Sequence, residues 1–241
     1  MPGLGCATLQ DIRELIGDCH RCPLGDSRTT VVFGVGDPHA RVMFVGEGPG
    51  RNEDLKGEPF VGAAGKLLNE LLSHAGLTRD EVYIANVVKC RPPGNRDPEP
   101  VEIETCTPFL REQIRLIAPD VLVTLGNFAT KLVLRTETGI TRLHGRPQKA
   151  GRFTVLPIYH PAAAIYDRTK YDALLVDFAT LRTLLEAGPA GAGGIADDLA
   201  DDRPVELAQQ PAEVATSESS RRPDEQSEPS AAGSVDQPRL F

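Results

Sequence analysis

Residues 41–50 read RVMFVGEGPG, an apolar run that breaks off at three closely spaced glycines. An apolar run of this length is typical of a buried strand, and the glycines predict a tight turn at its carboxyl end. Further strands are predicted at 82–88, 121–125 and 153–158. The first, second and last of these strands are followed by loops rich in glycine, proline or polar residues, and the third by Gly126 and a helix.

Helices are predicted around these strands, at 9–16, 65–75, 101–117, 127–134 and 171–185. Strands that alternate with helices form parallel sheets whose two faces are both covered. We therefore expect a three-layer α/β/α sandwich around a central, mainly parallel four-stranded sheet. Ligands of such sheets bind beyond the carboxyl ends of the strands, so a functional site is expected in the loops there.

The composition changes near residue 188. Residues 188–241 are rich in Ala, Gly, Pro, Ser, Asp and Glu and carry most of the formal net charge of −8. Such a segment buries too little apolar surface to offset the entropy cost of ordering. We expect one folded domain over 1–187 and a disordered acidic tail over 188–241. We expect no membrane span and no secretory leader, and a monomer in the cytoplasm.

Several side chains that could take part in catalysis or ligand binding lie in the loops and at the strand ends. Glu47 lies in the first glycine turn, where it is either a base that can hold water or an exposed carboxylate; Gly48 there lets the backbone approach a ligand. Asn86 interrupts an apolar strand, and its amide needs a partner in the backbone or in a ligand. His160 can donate to a developing oxyanion; the alternative is an ordinary core or surface histidine. Phe60 is a core residue or a stacking platform.

Four of the five cysteines form a two-part pattern: Cys19 and Cys22 lie close together, and Cys90 and Cys106 follow much later. Thiolates from two distant segments can hold a structural zinc or an iron–sulfur cluster. Buried structural thiols and a redox pair are the alternatives. The remaining residue, Cys6, favours a reduced compartment over a disulfide framework.

Two groups of basic residues are candidates for binding a polyanion, although solvated loop charges are the simpler alternative. The groups are Lys89, Arg91 and Arg96, and Arg142, Arg146, Lys149 and Arg152. At the end of the acidic tail, Gln237 is followed by Leu240 and Phe241. This pattern resembles the short peptides with which bacterial replication and repair proteins bind the sliding clamp; a chance match is the alternative.

Taken together, these segments resemble the family 4 uracil-DNA glycosylases, the iron–sulfur branch of that superfamily. The resemblance covers about residues 8–186. The matching segments are CHRCPL at 19–24, GEGPG at 46–50, GEPFVGAAGKLL at 57–68, NVVKCRPPGNRDP at 86–98, Cys106, and YHPAA at 159–163.

The resemblance implies an enzyme of base excision repair in the bacterial cytosol. Its uracil would be rotated out of the DNA stack, stacked on Phe60 and read by Asn86, with the Gly48 turn beside it. His160 would stabilise negative charge as the N-glycosidic bond breaks, and Glu47 would position the attacking water. The expected products are free uracil and an intact abasic site.

The resemblance further implies that a [4Fe–4S] cluster, rather than zinc, is bound by the four paired cysteines. It also places DNA near the loops that carry the basic residues. Those residues are Lys89, Arg91, Arg96, Arg142 and Arg146. Uracil-containing DNA is the expected partner, with the sliding clamp as a second partner through the terminal peptide.

Two residues depart from the family pattern: Gly48 stands where an alanine is usual, and His144 stands where an arginine is expected. A related branch bonds covalently to DNA through a histidine near the third cysteine. Residues 91–96 contain no histidine, so we expect repeated turnover rather than covalent trapping on DNA.

The alternative function is a non-catalytic metal-cluster module that binds DNA and recruits partners. A phosphate-cofactor site at GEGPG is disfavoured, because no Walker lysine follows.

Overall fold

The computed structural model describes residues 4–188, and the predicted acidic tail with its terminal peptide lies outside them. Its single sheet contains six strands within this part of the chain. The strands are β1 (Val35–Gly36), β2 (Val42–Gly46), β3 (Tyr83–Asn86), β4 (Val121–Leu125), β5 (Gln148–Ala150) and β6 (Phe153–Ile158). The four strands predicted from the sequence are β2, β3, β4 and β6, and their bounds differ from the prediction by at most two residues.

The strand order is β1-β3-β2-β4-β6-β5. The four central strands are parallel, as predicted, and the two edge strands pair antiparallel. The predicted count of four strands is too low, because β1 and β5 were missed. Strands of two and three residues show no apolar alternation, so the pattern of the sequence does not reveal them.

Eight α-helices accompany the sheet within residues 4–188. They are α1 (Leu9–Ile16), α2 (Leu24–Ser27), α3 (Arg51–Lys56), α4 (Ala63–His74), α5 (Pro100–Ile117), α6 (Asn127–Leu134), α7 (Ile140–Leu143) and α8 (Arg168–Glu186). Capping side chains explain where two of these helices begin. Thr8 caps α1 through the N–H of Asp11, and Asp167 caps α8 through the N–H of Lys170, since side-chain oxygens satisfy the free amides of a first helical turn.

Helices cover both faces of the sheet, which confirms the three-layer α/β/α arrangement. On one face, leucines of α4 and α8 pack with Phe44, whose ring stacks on Phe178 at 6.0 Å between centroids. On the other face, α5 packs its apolar side against Met43 and Val45. Successive residues of β2 therefore point into opposite cores, as the two-residue period of a strand requires.

The parallel strands place their carboxyl ends at one edge of the sheet, where Gly46, Asn86, Leu125 and Ile158 end β2, β3, β4 and β6. The loops that leave this edge carry most of the residues singled out from the sequence. Within residues 4–188, no helix is both long and apolar enough to cross a membrane.

Candidate functional site

Gly46 and Asn86 are direct partners in the ladder between β2 and β3. An ideal Cβ on Gly46 would lie 2.5 Å from Oδ1 of Asn86 and 2.8 Å from Cζ of Phe60. Real Cβ atoms do not approach other atoms this closely, so position 46 requires glycine. The amide of Asn86 and the ring of Phe60 thus meet over the bare backbone of Gly46.

Asn86 is 1% exposed. Among residues 4–188, its Oδ1 is the only fully buried side-chain nitrogen or oxygen atom without a hydrogen-bond partner. Leaving a buried acceptor unsatisfied costs about 1–3 kcal/mol. Of the two partners expected from the sequence, the backbone does not satisfy this oxygen. The arrangement suits an amide whose partner is a ligand.

The loop that carries Phe60 is held in an unusual conformation. Phe60 has a φ of +52°, which is uncommon for a residue with a Cβ. Oε1 of Glu53 accepts hydrogen bonds from the N–H groups of Val61 and Gly62, each at 2.9 Å. An ideal Cβ on Gly65 would lie 1.8 Å from the Phe60 carbonyl oxygen. The Phe60 ring belongs to the core cluster, which confirms that it is a core residue; its use as a stacking platform stays a prediction.

His160 faces the Phe60 ring at 5.5 Å between centroids. Its Nδ1 accepts a hydrogen bond from the N–H of Ala162 at 3.1 Å. In neutral histidine one ring nitrogen accepts and the other carries the proton, so the proton lies on Nε2. Burial lowers the pKa of His160 to about 4, although the carboxylate of Glu53 opposes this shift. At neutral pH His160 is therefore an uncharged donor.

Glu47 follows β2 directly, and its carbonyl oxygen accepts a hydrogen bond from the N–H of Val88 at 3.0 Å. Burial, and next the nearby carboxylate of Asp97, raise the pKa of Glu47 to about 7. An ideal Cβ on Gly48 would lie 2.8 Å from Cγ2 of Val88. Glycine at 48 therefore leaves room for the buried Val88 side chain, which the usual alanine would press upon.

The four paired cysteines line one cavity, together with apolar side chains of α1, α2 and α5. Burial raises the pKa of Cys90 to about 12, and negative charge on the neighbouring Cys106, Cys22 and Cys19 adds to the rise. Two N–H groups donate to sulfur: Arg21 to Cys19 at 3.2 Å and Lys89 to Cys106 at 3.3 Å. Cys6 is not among the residues of this cavity.

A tight single-ion arrangement is not found among these sulfurs. Within the described residues, no group of three or more His, Cys, Asp or Glu side chains is placed to hold a metal ion. Four thiols from two segments nevertheless share one cavity, so the predicted tether between the N-terminal arm and the middle of the domain does bring these side chains together.

The predicted DNA contact of Lys89 is wrong. Its side chain is 1% exposed, and Nζ donates to the backbone oxygen of Asn86 at 2.9 Å and to Oε1 of Gln113 at 2.6 Å. An ammonium group enclosed in this way cannot reach a phosphate. The sequence suggested exposure only because Lys89 stands between a strand and a basic loop.

The other predicted DNA contacts lie nearer the surface. Arg142 and Arg146 are exposed. Arg91 is partly buried, and its Nε donates to Oδ1 of Asn95 at 2.7 Å. Arg96 forms a two-bond ion pair with the buried carboxylate of Glu102, at 2.9 and 2.7 Å. The guanidinium of Arg96 is thus committed to α5.

His144, which departs from the family pattern, is tied to α8. Its Nδ1 lies 3.2 Å from each carboxylate oxygen of the buried Asp177, and its ring is 4.4 Å from the ring of Tyr159. The loop after α7 is therefore anchored beside the residue that precedes His160.

Sequence reasoning missed several residues that shape the site, namely Gly46, Glu53, Asp97 and Gln113. Three of them lie inside or beside the quoted motifs, but nothing in a motif says which member touches which. Gln113 had no such signal, because it is a polar residue on the buried side of a long helix.

Comparison with known proteins finds several type-4 uracil-DNA glycosylases that are similar to this chain. The chain is 46% identical over 186 residues to the type-4 uracil-DNA glycosylase of Sulfurisphaera tokodaii, covering 73% of this chain and 84% of that protein. It is 49% identical over 167 residues to the type-4 enzyme of Archaeoglobus fulgidus, covering 66% and 84%. The corresponding values for the Thermotoga maritima type-4 enzyme are 45% over 163 residues, with 67% and 85% covered.

A sequence profile of the uracil DNA glycosylase superfamily matches residues 33–182, which contain both strands of the Gly46–Asn86 pair and the His160 loop. This match spans more than half of the chain. The chain belongs to the uracil DNA glycosylase superfamily.

Proposed function

We propose that this protein is a DNA repair glycosylase that removes uracil from DNA by hydrolysing its N-glycosidic bond, in the manner of the type-4 enzymes. The observation that carries the proposal is the buried, unpartnered Oδ1 of Asn86 beside the Phe60 ring and the neutral His160. An amide, an aromatic face and an N–H donor are what a flipped pyrimidine needs for recognition.

Asn86 and Phe60 bind the base in this proposal. The Asn86 amide has both an acceptor and donors, which match the N3–H group and the adjacent carbonyl oxygen of uracil. With the amide in the orientation that fits uracil, cytosine places a bare ring nitrogen opposite Oδ1 and an amino group opposite Nδ2, so neither hydrogen bond forms. A site with a buried polar group rejects a base that cannot pair with it.

His160 stabilises the departing base. Its Nε2 proton points away from the Ala162 hydrogen bond and can be donated to a carbonyl oxygen of uracil. Negative charge accumulates on that oxygen as the bond to the sugar breaks, and a prearranged donor in a site of low polarity stabilises it strongly. The low pKa keeps this group neutral, so it stabilises the anion without transferring a proton to it.

Glu47 is proposed to hold the water that attacks the sugar carbon. It stands one residue after Gly46, at the same edge of the sheet as Asn86. With a pKa of about 7, its carboxylate is ionised in a substantial fraction of molecules at neutral pH and can accept a proton from water. Water as nucleophile leaves an abasic site with an intact strand.

The four cavity cysteines are proposed to bind a [4Fe–4S] cluster. Four sulfur donors around a largely apolar cavity fit such a group, and the N–H donors to Cys19 and Cys106 suit sulfurs that carry negative charge. The preference for this cluster over zinc rests on the resemblance to the type-4 enzymes. When bound, the cluster would join the loop between α1 and α2, the loop after β3, and α5.

For the DNA contacts, the exposed Arg142 and Arg146 are the strongest candidates. They lie before and after His144, whose ring packs on Tyr159 next to the proposed catalytic histidine. Phosphate contacts here would hold the strand over the site without reading its sequence. Arg91 and Arg96 take secondary roles, because their guanidinium groups already have protein partners.

The terminal peptide with Gln237, Leu240 and Phe241 is proposed to bind the bacterial sliding clamp, and this proposal stands on the sequence alone. A tethered apolar anchor raises the effective concentration of an enzyme near DNA. Deleting residues 237–241 should abolish clamp binding and leave activity on short oligonucleotides unchanged. Equal clamp affinity with and without these residues contradicts the proposal.

A repair enzyme of this kind would act in the cytoplasm, where the chromosome lies.

The function is tested with an oligonucleotide that contains one uracil. Free uracil and alkali-sensitive abasic sites should appear in equal amounts, with no strand cleavage before alkali. Asn86→Ala and His160→Ala should reduce the rate about 10²–10³-fold, whereas the exposed variant Glu104→Gln should match the wild type. Tight DNA binding without release of any base would instead support the non-catalytic recruitment module.

A further inference from the structure

Lys89 is a buried lysine in a position where neither the base nor the DNA can be its partner. Lysine is almost never fully buried unless it is paired, and enclosing an ammonium group carries a substantial desolvation cost. Lys89 is nevertheless among the largest fully buried side chains of residues 4–188. The contacts of its ammonium group should therefore explain why a lysine is buried here.

The side chain of Lys89 runs back along its own strand end. Nζ donates to the backbone oxygen of Asn86 at 2.9 Å, three residues earlier in the chain. Asn86 is the last residue of β3, where the regular ladder stops. The ammonium group therefore holds the peptide unit from which the base-reading amide projects.

The second partner of Nζ is Oε1 of Gln113, at 2.6 Å. Gln113 is itself fixed, because its Nε2 donates to the carbonyl oxygen of Phe33 at 3.0 Å and lies 3.4 Å from the hydroxyl of Tyr83. Gln113 belongs to α5, the helix that also carries Cys106. The strand end is thus braced against the cysteine-bearing helix.

The backbone of Lys89 makes the matching connection to the cysteines. Its N–H donates to Sγ of Cys106 at 3.3 Å, its residue lines the cysteine cavity, and the next residue is Cys90. A cluster bound by four thiolates carries a net negative charge at its core and ligands together. The positive charge of Lys89 lies where it offsets that charge inside the protein.

We propose that Lys89 is a positioning residue that couples the cysteine cavity to Asn86, by bracing the Asn86 backbone against Gln113 and by placing a buried positive charge beside the cluster. The bracing of Asn86 rests on the proposed function. The effect of the Lys89 charge on the cluster does not depend on uracil removal, so each of the two claims can be refuted without the other.

The test uses the full-length, iron-loaded protein and the variant Lys89→Met, which keeps an unbranched side chain one atom shorter and removes its charge and donors. Iron content should equal that of the wild type, because all four cysteines remain. The reduction potential of the cluster should become more negative, since a nearby positive charge favours the reduced form. Inhibition by free uracil should weaken at least tenfold. For uracil-containing DNA as substrate, KM should change more than kcat.

Gln113→Met removes the brace but keeps the charge, and it covers the case in which Lys89→Met does not fold. It should weaken uracil inhibition severalfold and leave the reduction potential close to that of the wild type. The two variants combined should lose less affinity than the sum of their separate losses in free energy, because they break one network. Lys131→Met, on a partly exposed lysine remote from the network, should change nothing.

Unchanged uracil inhibition in both Lys89→Met and Gln113→Met overturns the coupling to Asn86. An unchanged reduction potential in Lys89→Met overturns the electrostatic role. A wild-type protein that releases no uracil refutes the proposed function instead, and the potential of Lys89→Met still decides the cluster part.

Discussion

The backbone N–H of Ala162 donates a hydrogen bond to Nδ1 of His160 at 3.1 Å. This contact fixes the neutral tautomer in which Nε2 carries the proton. The donor arises from the turn Pro161–Ala164 that follows β6. A local turn therefore decides which atom of His160 is offered to the base.

The pH dependence of His160 follows from this environment. Its pKa of about 4 lies below the ordinary value of 6.5, so the unfolded chain takes up this proton first. The stability that His160 contributes is complete above pH 6.5 and is lost as the pH falls through 4. Single-turnover uracil release should show no histidine limb from about pH 5 to 9. A limb near 6.5 that disappears in His160→Asn would contradict the neutral donor.

Glu47 should control the rate near neutrality. Because its pKa is raised to about 7, single-turnover release should rise about tenfold per pH unit below 7 and level off above it. The folded state holds this proton more tightly than the unfolded chain, so the burial of Glu47 costs increasing stability as the pH rises from 4.5 through 7.

Asp97→Asn separates the two causes of that shift. Burial remains in this variant, but the charge of the neighbouring carboxylate is removed, so the midpoint of the rate profile should move to lower pH. Glu104→Gln removes an exposed carboxylate of α5 and should leave the midpoint in place. If Asp97→Asn leaves it unmoved as well, Asp97 does not act on Glu47.

Replacing Asn86 should separate stability from activity. Asn86→Ala removes a buried acceptor that has no partner, so the loss of packing is offset and the free energy of unfolding should change by no more than about 1 kcal/mol. Uracil release should fall about 10²–10³-fold. Chemical denaturation and single-turnover kinetics measure the two quantities.

Asn127→Ala provides the reverse pattern. Its Oδ1 accepts a hydrogen bond from the N–H of Ile140 at 3.1 Å, so its removal should cost about 1 kcal/mol of stability and leave uracil release unchanged. A large loss of stability in Asn86→Ala would show that its amide is a structural group.

Gly46→Ala should fill the space between Asn86 and Phe60 with a methyl group. The new methyl group would meet Oδ1 of Asn86 at 2.5 Å and the Phe60 ring at 2.8 Å, so both residues must shift. We expect at least a hundredfold loss of kcat/KM, in the range of a misplaced catalytic geometry. Gly139→Ala is the matched control, since its Cβ would meet nothing closer than 3.8 Å. Equal activity of the two variants would refute this packing of the site.

The cysteine variants should divide into two classes. Serine at any of the four cavity cysteines should lower the iron content and lower the thermal midpoint, because a ligand that joins two chain segments is lost. Cys6→Ser should keep full iron and colour. Iron loss in Cys6→Ser, or full iron in Cys90→Ser, would show that the cluster ligands are wrongly assigned.

The sequence by itself determined the four central strands, the two covered faces of the sheet and the edge at which the site is expected. These features depend on apolar periodicity and on glycine turns, which act over a few residues. The same local logic placed Glu47, Asn86 and His160 at strand ends, and the resemblance added their expected roles.

Only the tertiary structure decided which of these side chains meet, and in what environment. The burial of Lys89 depends on α5 bringing Gln113 against the end of β3. The raised pKa of Glu47 depends on its burial and then on Asp97, fifty residues later in the chain. Charge and polarity are properties of a residue, but desolvation and pairing are properties of its neighbours. Those neighbours come from distant segments, so no motif of the sequence contains them.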